Sequence, residues 1–463
     1  MKANTTWQGK RVLVVGLARS GIAAAQLLVR EGAAVTVNDS KTREGLGETL
    51  KPLEALPVRW RLGCGAMELL AGQEALVISP GIPDTAPFVV KAREMGLHVI
   101  GELELAASLW PGQMVAVTGT NGKTTTVSLL RQIFEDAGRK AWAVGNIGFP
   151  FSQAVLEGTP ADMAVCECSS FQMETIETFH PAAAVLTNIT EDHLNRHGTM
   201  AEYTRLKMRM FENQTSADTA VFNADDPALA PLTAQVRSGV MRFSRKREVE
   251  RGAFVRDGMV IFRDGGREEC LLPAEEIYIP GPHNLENALA AVCIARSMGV
   301  PAETVAGTLR TFRGVEHRIE LTRELNGVRW YNDSKGTNVD STIRAVQTMN
   351  RPTVMILGGS DKHCDFTPLA REIVASPWIR ETVLIGVTAN QIEDTLRRCG
   401  WNAIRRAGSM AEAVRLCSRI AAPGWNALLS PACASFDMFR DYEERGRVFK
   451  QLVAELPDAG DKA

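Results

Sequence analysis

"VAVTGTNGKTTTVSLL", residues 115–130, runs from an apolar stretch through a glycine turn into a helix-like segment. That order is the signature of a strand, a phosphate-cradling loop and a helix N-terminus. Successive backbone N–H groups in such a loop can hold phosphate oxygens. Lys123 can neutralise a terminal phosphate, and the Thr124 hydroxyl can bind Mg²⁺. The common nucleoside triphosphate pattern would place glycine at Val117, so Gly119, Gly122, Lys123 and Thr124 satisfy only its second half. The bland alternative is a glycine-rich turn beside a surface lysine, and the strand-loop-helix order speaks against it.

The flanking segments extend this loop into a domain. "DMAVCECSSFQME" from 162, "AAAVLTNITEDHLNRHG" from 182 and "TAVFNADDP" from 219 each read as a short apolar strand with polar residues at its C-terminal end. Ligands sit at that end of an open parallel sheet. In an extended stretch Ala164, Cys166 and Cys168 share one face while Val165 and Glu167 share the other, so the cysteines do not join Glu167 as metal ligands. Glu167 is then either a magnesium ligand facing the phosphate site or a charge at a helix N-terminus. His193 and His197 are four apart, but no HExxH glutamate or cysteine set accompanies them to indicate zinc. The strand before His193 is expected to run parallel to the phosphate-loop strand. Lys207, in "YTRLKMRMFEN", reads by itself as one base on a solvated face.

Toward the N-terminus, "RVLVVGLARSGIAAAQLLVREGAAVTVND" from 11 is a βαβ opening of Rossmann type ending at Asp39. Gly16 and Gly21 keep the outer glycines of GxGxxG, whereas Ala18 fills the position where backbone approaches a dinucleotide pyrophosphate. A nicotinamide-dependent oxidoreductase is therefore disfavoured, although the following helix N-terminus can still take phosphate. "ALVISPGIP" and "GLHVIGELELAASLW" add strands to this block. Toward the C-terminus, after "GPHNLENALAAVCIARSMG" and an expected hinge near Gly314, strand-helix alternation resumes in "VRWYNDSKGTN", "PTVMILGGSDKHCDF", "ETVLIGV" and "NALLSPACASFDMF". Asp333 and Lys335 follow a strand there and Arg318 precedes it. They suit either the far side of a nucleotide cleft or surface ion pairing.

A chain of 463 residues exceeds one core, and about 150 residues per domain gives about three. The expected fold is α/β with three domains: a Rossmann-like domain over 1–101, a central P-loop-type domain with a mainly parallel sheet over 102–314, and a C-terminal Rossmann-like domain over 315–463. A net charge of −2 offers no general attraction to nucleic acid or an anionic membrane. The opening residues make neither a secretion signal nor a spanning helix, and the nine cysteines contain no CxxC pair, so a cytoplasmic chain with reduced thiols is expected.

Taken in order, "GTNGKTTT", "ECSSFQME", "TNITEDHLNRHG", "YTRLKMR", "GPHNLENALAA", "HRIE", "YNDSKGTN" and "LLSPACASFDMF" resemble the Mur ligases of peptidoglycan synthesis over essentially the whole chain. "ECSSFQ" and "SPACASFD" resemble the D-glutamate-adding branch. The resemblance implies ATP-dependent amide formation between the carboxylate of UDP-MurNAc-L-Ala and the amine of D-glutamate, through an acyl phosphate, in a cytoplasmic monomer with two Mg²⁺ ions. It implies ATP binding by Gly119, Thr120, Asn121, Gly122, Lys123, Thr124, Thr125, Asn284, Asn287, Arg318 and Asp333. It makes Lys123, Glu167, His193 and Lys207 the catalytic set, with Thr124, Glu167, His193 and a carbamylated Lys207 around the metals. An ammonium at Lys207 would repel Mg²⁺, whereas a carbamate supplies anionic oxygens and forms from the neutral amine.

The UDP substrate is expected at Arg19, Ser20, Gly21, Asp39, Ser40, Ser79, Gly81, Asn146, Ser169, Gln172 and His193. D-Glutamate is expected at Lys335, Thr337, Lys362, Ser435 and Tyr442, the last standing where the family pattern has phenylalanine. Sister ligases adding another amino acid or a dipeptide, folylpolyglutamate synthase, and a non-catalytic nucleotide-binding scaffold are the remaining alternatives.

Overall fold

A computed structural model describes residues 6–192, 194–360 and 364–458. Val12, Leu13 and Val14 are fully buried and start a five-stranded parallel sheet. Its strands are β1 (Arg11–Val15), β2 (Ala34–Asp39), β3 (Arg59–Leu62), β4 (Ala75–Ile78) and β5 (His98–Gly101), in the order β3-β2-β1-β4-β5. The order reverses at β1, so the crevice beyond β1 and β4 is where such a sheet takes a ligand. The helix Arg19–Arg30 buries Ile22, Ala24, Leu27 and Leu28 against it.

The second sheet has nine strands: β6 (Gln113–Thr118), β7 (Ala141–Gly145), β8 (Met163–Glu167), β9 (Ala183–Leu186), β10 (Thr219–Asn223), β11 (Gly239–Ser244), β12 (Gly252–Arg256), β13 (Met259–Asp264) and β14 (Arg267–Pro273). Their order is β14-β13-β12-β11-β10-β9-β6-β8-β7. From β7 to β12 neighbours are parallel, and the strand before residue 193 lies directly beside the phosphate-loop strand, as expected. β12, β13 and β14 form an antiparallel meander that motif reading passed over. Its turns are Asp257-Gly258 and Gly265-Gly266, all four at positive φ, which is hairpin-turn chemistry.

The third sheet contains β15 (Glu320–Leu325), β16 (Val328–Asn332), β17 (Thr353–Leu357), β18 (Ile379–Leu384), β19 (Ile404–Arg406) and β20 (Asn426–Leu429), ordered β15-β16-β20-β17-β18-β19. Only the β15–β16 hairpin is antiparallel in it. The architecture is thus α/β with three mainly parallel sheets.

The first two sheets fall in one compact unit, Met1–Ile277 with Glu286–Thr311; the third falls in another, Tyr278–Leu285 with Phe312–Ala463. Inside the first unit, Leu27, Leu28, Leu105, Phe151 and Val155 belong to one apolar core that spans both sheets. Arg30 adds a bond from Nη1 to the Val155 carbonyl at 3.0 Å. Among the described residues, no helix is long and apolar enough to cross a membrane.

Candidate active site

β6 delivers the loop 119–122, and the helix Lys123–Asp136 begins where the loop ends. Gly122 holds φ +87°, and a Cβ there would collide with the Asn287 carboxamide oxygen, so only glycine lets the loop pass this close. Asn287 also accepts from Thr126 Oγ1 at 3.4 Å. The turn is pinned from β9: Asn188 Oδ1 accepts from the Asn121 N–H at 2.9 Å, and Thr187 Oγ1 donates to the Asn121 carbonyl at 2.7 Å. Thr120 Oγ1 meets the Tyr203 hydroxyl at 3.2 Å.

Glu167 ends β8, the strand next to β6, so it faces the helix N-terminus across the switch point of the sheet. Its Oε2 accepts from Thr124 Oγ1 at 2.8 Å and its Oε1 from Asn146 Nδ2 at 3.1 Å. Thr124 and Glu167 are buried. A hydroxyl and a carboxylate side by side form an oxygen-donor set suited to a hard divalent cation. Cys166 points to the other face, where burial pushes its thiol up and keeps it protonated.

Lys207 corrects the solvated-face expectation: it is 1% exposed. The helix Met200–Met208 turns it inward, where its Nζ donates to the Gly119 carbonyl at 2.7 Å and lies 4.5 Å from the Tyr203 ring centre. Lys123 Nζ donates to the same carbonyl at 2.9 Å and to the Thr120 carbonyl at 2.7 Å. Burial pushes the Lys207 ammonium well below the usual lysine value, and the charge on Lys123 pushes it further the same way. His193 lies outside the described residues.

The UDP-substrate candidates of the first sheet gather at the ends of β1, β2 and β4. Ser79 Oγ donates to the Gly16 carbonyl at 2.7 Å, and Asp39 accepts from the N–H groups of Leu17 at 2.8 Å and Lys41 at 2.9 Å. Arg19, Ser20 and Gly21 open the helix there, and Ser40 and Gly81 are exposed on the adjoining loops. Ser169 and Gln172 are buried and bond each other in a capping box, with the Ser169 N–H on Gln172 Oε1 at 3.0 Å.

In the second compact unit Asp333 follows β16 and is buried, which removes the surface ion-pair alternative. It accepts from Ser430 Oγ at 2.7 Å and from the Ile319 N–H at 3.3 Å. Burial raises its carboxyl to about 6, against the pull of the Arg318 charge. Asn284 donates to the Pro280 carbonyl at 2.7 Å. Lys335 Nζ lies 5.8 Å from the Tyr442 ring centre, Thr337 is half-buried and Ser435 is buried. Lys362 lies outside the described residues.

Sequence reading overlooked Arg445, which is 1% exposed. It donates to Ser334 Oγ at 3.0 Å and the Ser334 carbonyl at 2.8 Å, and to the carbonyls of Cys433 and Ala434 at 3.1 Å. One guanidinium thus joins the loop bearing Lys335 to the loop bearing Ser435. Tyr203 and Asn188 were overlooked too; Tyr203 stands four residues before Lys207, one helical turn away, and that spacing was its available signal.

Three family models match in succession: the N-terminal domain of MurD-like Mur ligases over residues 10–101, the Mur ligase middle domain over 117–295, and the glutamate ligase domain of Mur ligases over 317–433. The UDP-N-acetylmuramoylalanine–D-glutamate ligase of Thermoanaerobacter pseudethanolicus is 45% identical over 97% of this chain and 99% of its own. The chain belongs to the Mur ligase family. The ligase of the same name from Caldanaerobacter subterraneus is also 45% identical, over 96% of this Mur ligase and 98% of its own chain. The UDP-N-acetylmuramate–alanine ligase of Thermotoga maritima shares the fold of this Mur ligase, with a TM-score of 0.60 at 20% identity over 96% of this chain and 99% of that one. The MurF ligase of the same organism, solved with ADP, gives 0.59 at 16% identity over 97% and 96%. The middle-domain match contains Lys123, Glu167, Lys207 and Asn287, whereas Ser435, Tyr442 and Arg445 lie past the end of the C-terminal match.

Proposed function

We propose that this Mur ligase joins D-glutamate to UDP-N-acetylmuramoyl-L-alanine at the expense of ATP, releasing ADP and phosphate through an acyl-phosphate intermediate. Support comes from relatives of that name aligned over nearly the whole chain. The observation that carries the chemistry is the contact of Thr124 with Glu167 beside a loop whose carbonyl already gathers two lysines. The physical obstacle is bringing a carboxylate against a polyanionic triphosphate. Loop N–H groups and the helix N-terminus of 123–136 hold phosphate oxygens, and Lys123 offsets their charge. Thr124, Glu167, His193 and Lys207 would hold two Mg²⁺ ions, which supply charge neutralisation and orientation when bound.

Lys207 is assigned as a carbamate. Its burial and the nearby Lys123 favour the neutral amine that carbamylation requires. Asn284, Asn287, Arg318 and Asp333 complete the ATP set. Arg19 to Gly21, Asp39, Ser40, Ser79, Gly81, Asn146, Ser169, Gln172 and His193 receive the UDP substrate. Lys335, Thr337, Lys362, Ser435 and Tyr442 receive D-glutamate, whose amine then attacks the activated carbonyl. Domains over 1–101, 102–314 and 315–463, each carrying one of the three sheets, fit this division of labour. A monomer acting in the cytoplasm completes the reading.

An acceptor screen tests it. With UDP-MurNAc-L-Ala and Mg²⁺-ATP, phosphate release is expected with D-glutamate and not with L-alanine, a diamino acid or D-Ala-D-Ala. Release with one of those acceptors instead assigns a sister activity.

A further inference from the structure

Asp437 lies two residues past Ser435, on the segment that leaves the C-terminal end of β20. Its Oδ1 accepts from the Ser360 hydroxyl at 3.2 Å, its Oδ2 accepts from the Val387 N–H at 3.1 Å, and its own N–H donates to Ser360 Oγ at 3.0 Å. Ser360 lies beyond β17 and Val387 beyond β18. One carboxylate therefore ties together the segments leaving three neighbouring parallel strands, at the end of the sheet where ligands bind.

The backbone reinforces the junction. The Ser360 N–H donates to the Ala434 carbonyl at 2.9 Å, the Gly359 N–H to Thr388 Oγ1 at 3.1 Å, and the Thr388 N–H to the Gly359 carbonyl at 3.2 Å. Gly386 sits at φ +73°, and a Cβ there would strike Asp437 Oδ2, so the approach of the carboxylate depends on glycine. On the other side of Ser435, Arg445 grips the carbonyls of Cys433 and Ala434. Ser435 is held from before by a buried guanidinium and from after by Asp437.

We propose that Asp437 is a positioning residue for the acceptor amino acid: it sets the distance between the Ser435 segment and the Gly359–Ser360 segment without touching the acceptor. The proposal rests on the reading that Ser435 contacts D-glutamate. Misplacement on the scale of an ångström is enough to weaken a bound amino acid strongly, and it leaves the nucleotide and UDP-sugar contacts of other segments in place.

Steady-state kinetics on the full chain, with a melting curve for each variant, test it. Asp437→Ala is expected to raise KM for D-glutamate about tenfold or more, with KM for ATP and for the UDP substrate within roughly twofold. Asp437→Asn keeps one acceptor oxygen and falls between. Ser360→Ala raises the same KM, and in the double variant the two effects combine to less than their product, because either single variant already removes the bond from the Ser360 hydroxyl to Asp437. Ser360→Ala carries the test by itself if Asp437→Ala does not fold. If Ser435→Ala leaves KM for D-glutamate unchanged, the acceptor-site reading itself fails and the proposal falls with it. If Ser435→Ala raises that KM while Asp437→Ala and Ser360→Ala do not, or if they raise all three KM values together, the positioning role alone is overturned.

Discussion

The Nζ atoms of Lys123 and Lys207 both donate to the Gly119 carbonyl, so two lysine nitrogens share one acceptor beside a buried helix end, and the charge on Lys123 favours a neutral amine at Lys207. Removing either has a distinct expected signature. Lys123→Ala deletes the charge that offsets the triphosphate and lowers phosphate release by about 10²-fold or more. Lys207→Ala abolishes turnover too, and with ¹³C-bicarbonate it loses a carbamate carbon resonance that the unaltered chain and Lys123→Ala both show. A carbamate signal persisting in Lys207→Ala would place that chemistry elsewhere.

Asp333 makes a pH prediction at the same scale. Its folded-state value of about 6 lies above the ordinary 3.8, so the folded chain binds the proton more tightly than the unfolded one. The resulting stability is fully present below 3.8 and is lost as pH rises through 6. Denaturant titrations at pH 4 and pH 7 are expected to show a loss of about 2 kcal/mol from this group, and Asp333→Asn to remove that difference.

At the scale of elements, the phosphate loop and the helix behind β5 are set by single residues of opposite kinds. Gly122→Ala puts a methyl group against Asn287 at a positive φ, and is expected to cost about 1–3 kcal/mol in urea unfolding together with a measurable loss of nucleotide affinity. Glu104, in the helix Glu102–Leu109, is buried and accepts from the N–H groups of Glu177, Thr178 and Phe179 at 2.9, 2.7 and 3.1 Å. Glu104→Ala strands those donors and is expected to cost about 3 kcal/mol or more, read as a lower urea midpoint. The glycine was legible in "GTNGKT" because a turn that takes phosphate announces itself locally. The glutamate was not, since its partners lie more than seventy residues away in the chain.

For the whole molecule, the described UDP-substrate candidates fall in the first compact unit, and the described D-glutamate candidates fall in the second. A ligand stabilises the unit that binds it, by about 2.7 kcal/mol at a hundred times its Kd. Calorimetry is expected to show UDP-MurNAc-L-Ala raising the melting transition of the first unit and D-glutamate that of the second. Both ligands shifting one and the same transition would contradict this assignment.

Period-two and helical patterns are local, and so are glycine turns. The order of strands and helices, the parallel sheets and the phosphate loop could therefore be read directly along the chain. So could the placement of Glu167 at a strand end, because alternation alone separates it from the cysteines. The antiparallel β12–β14 meander had its turn signals in Asp257-Gly258 and Gly265-Gly266, but no chemistry drew attention to them. What only the tertiary structure decided is depth and company: Lys207 on an apparently solvated helix is buried against Tyr203, Arg445 binds two loops about a hundred residues apart, and Asp333 is sealed from water. Burial and charge proximity are properties of packed neighbours. They arise when sheet order brings distant strand ends together, and no periodicity along the chain encodes them.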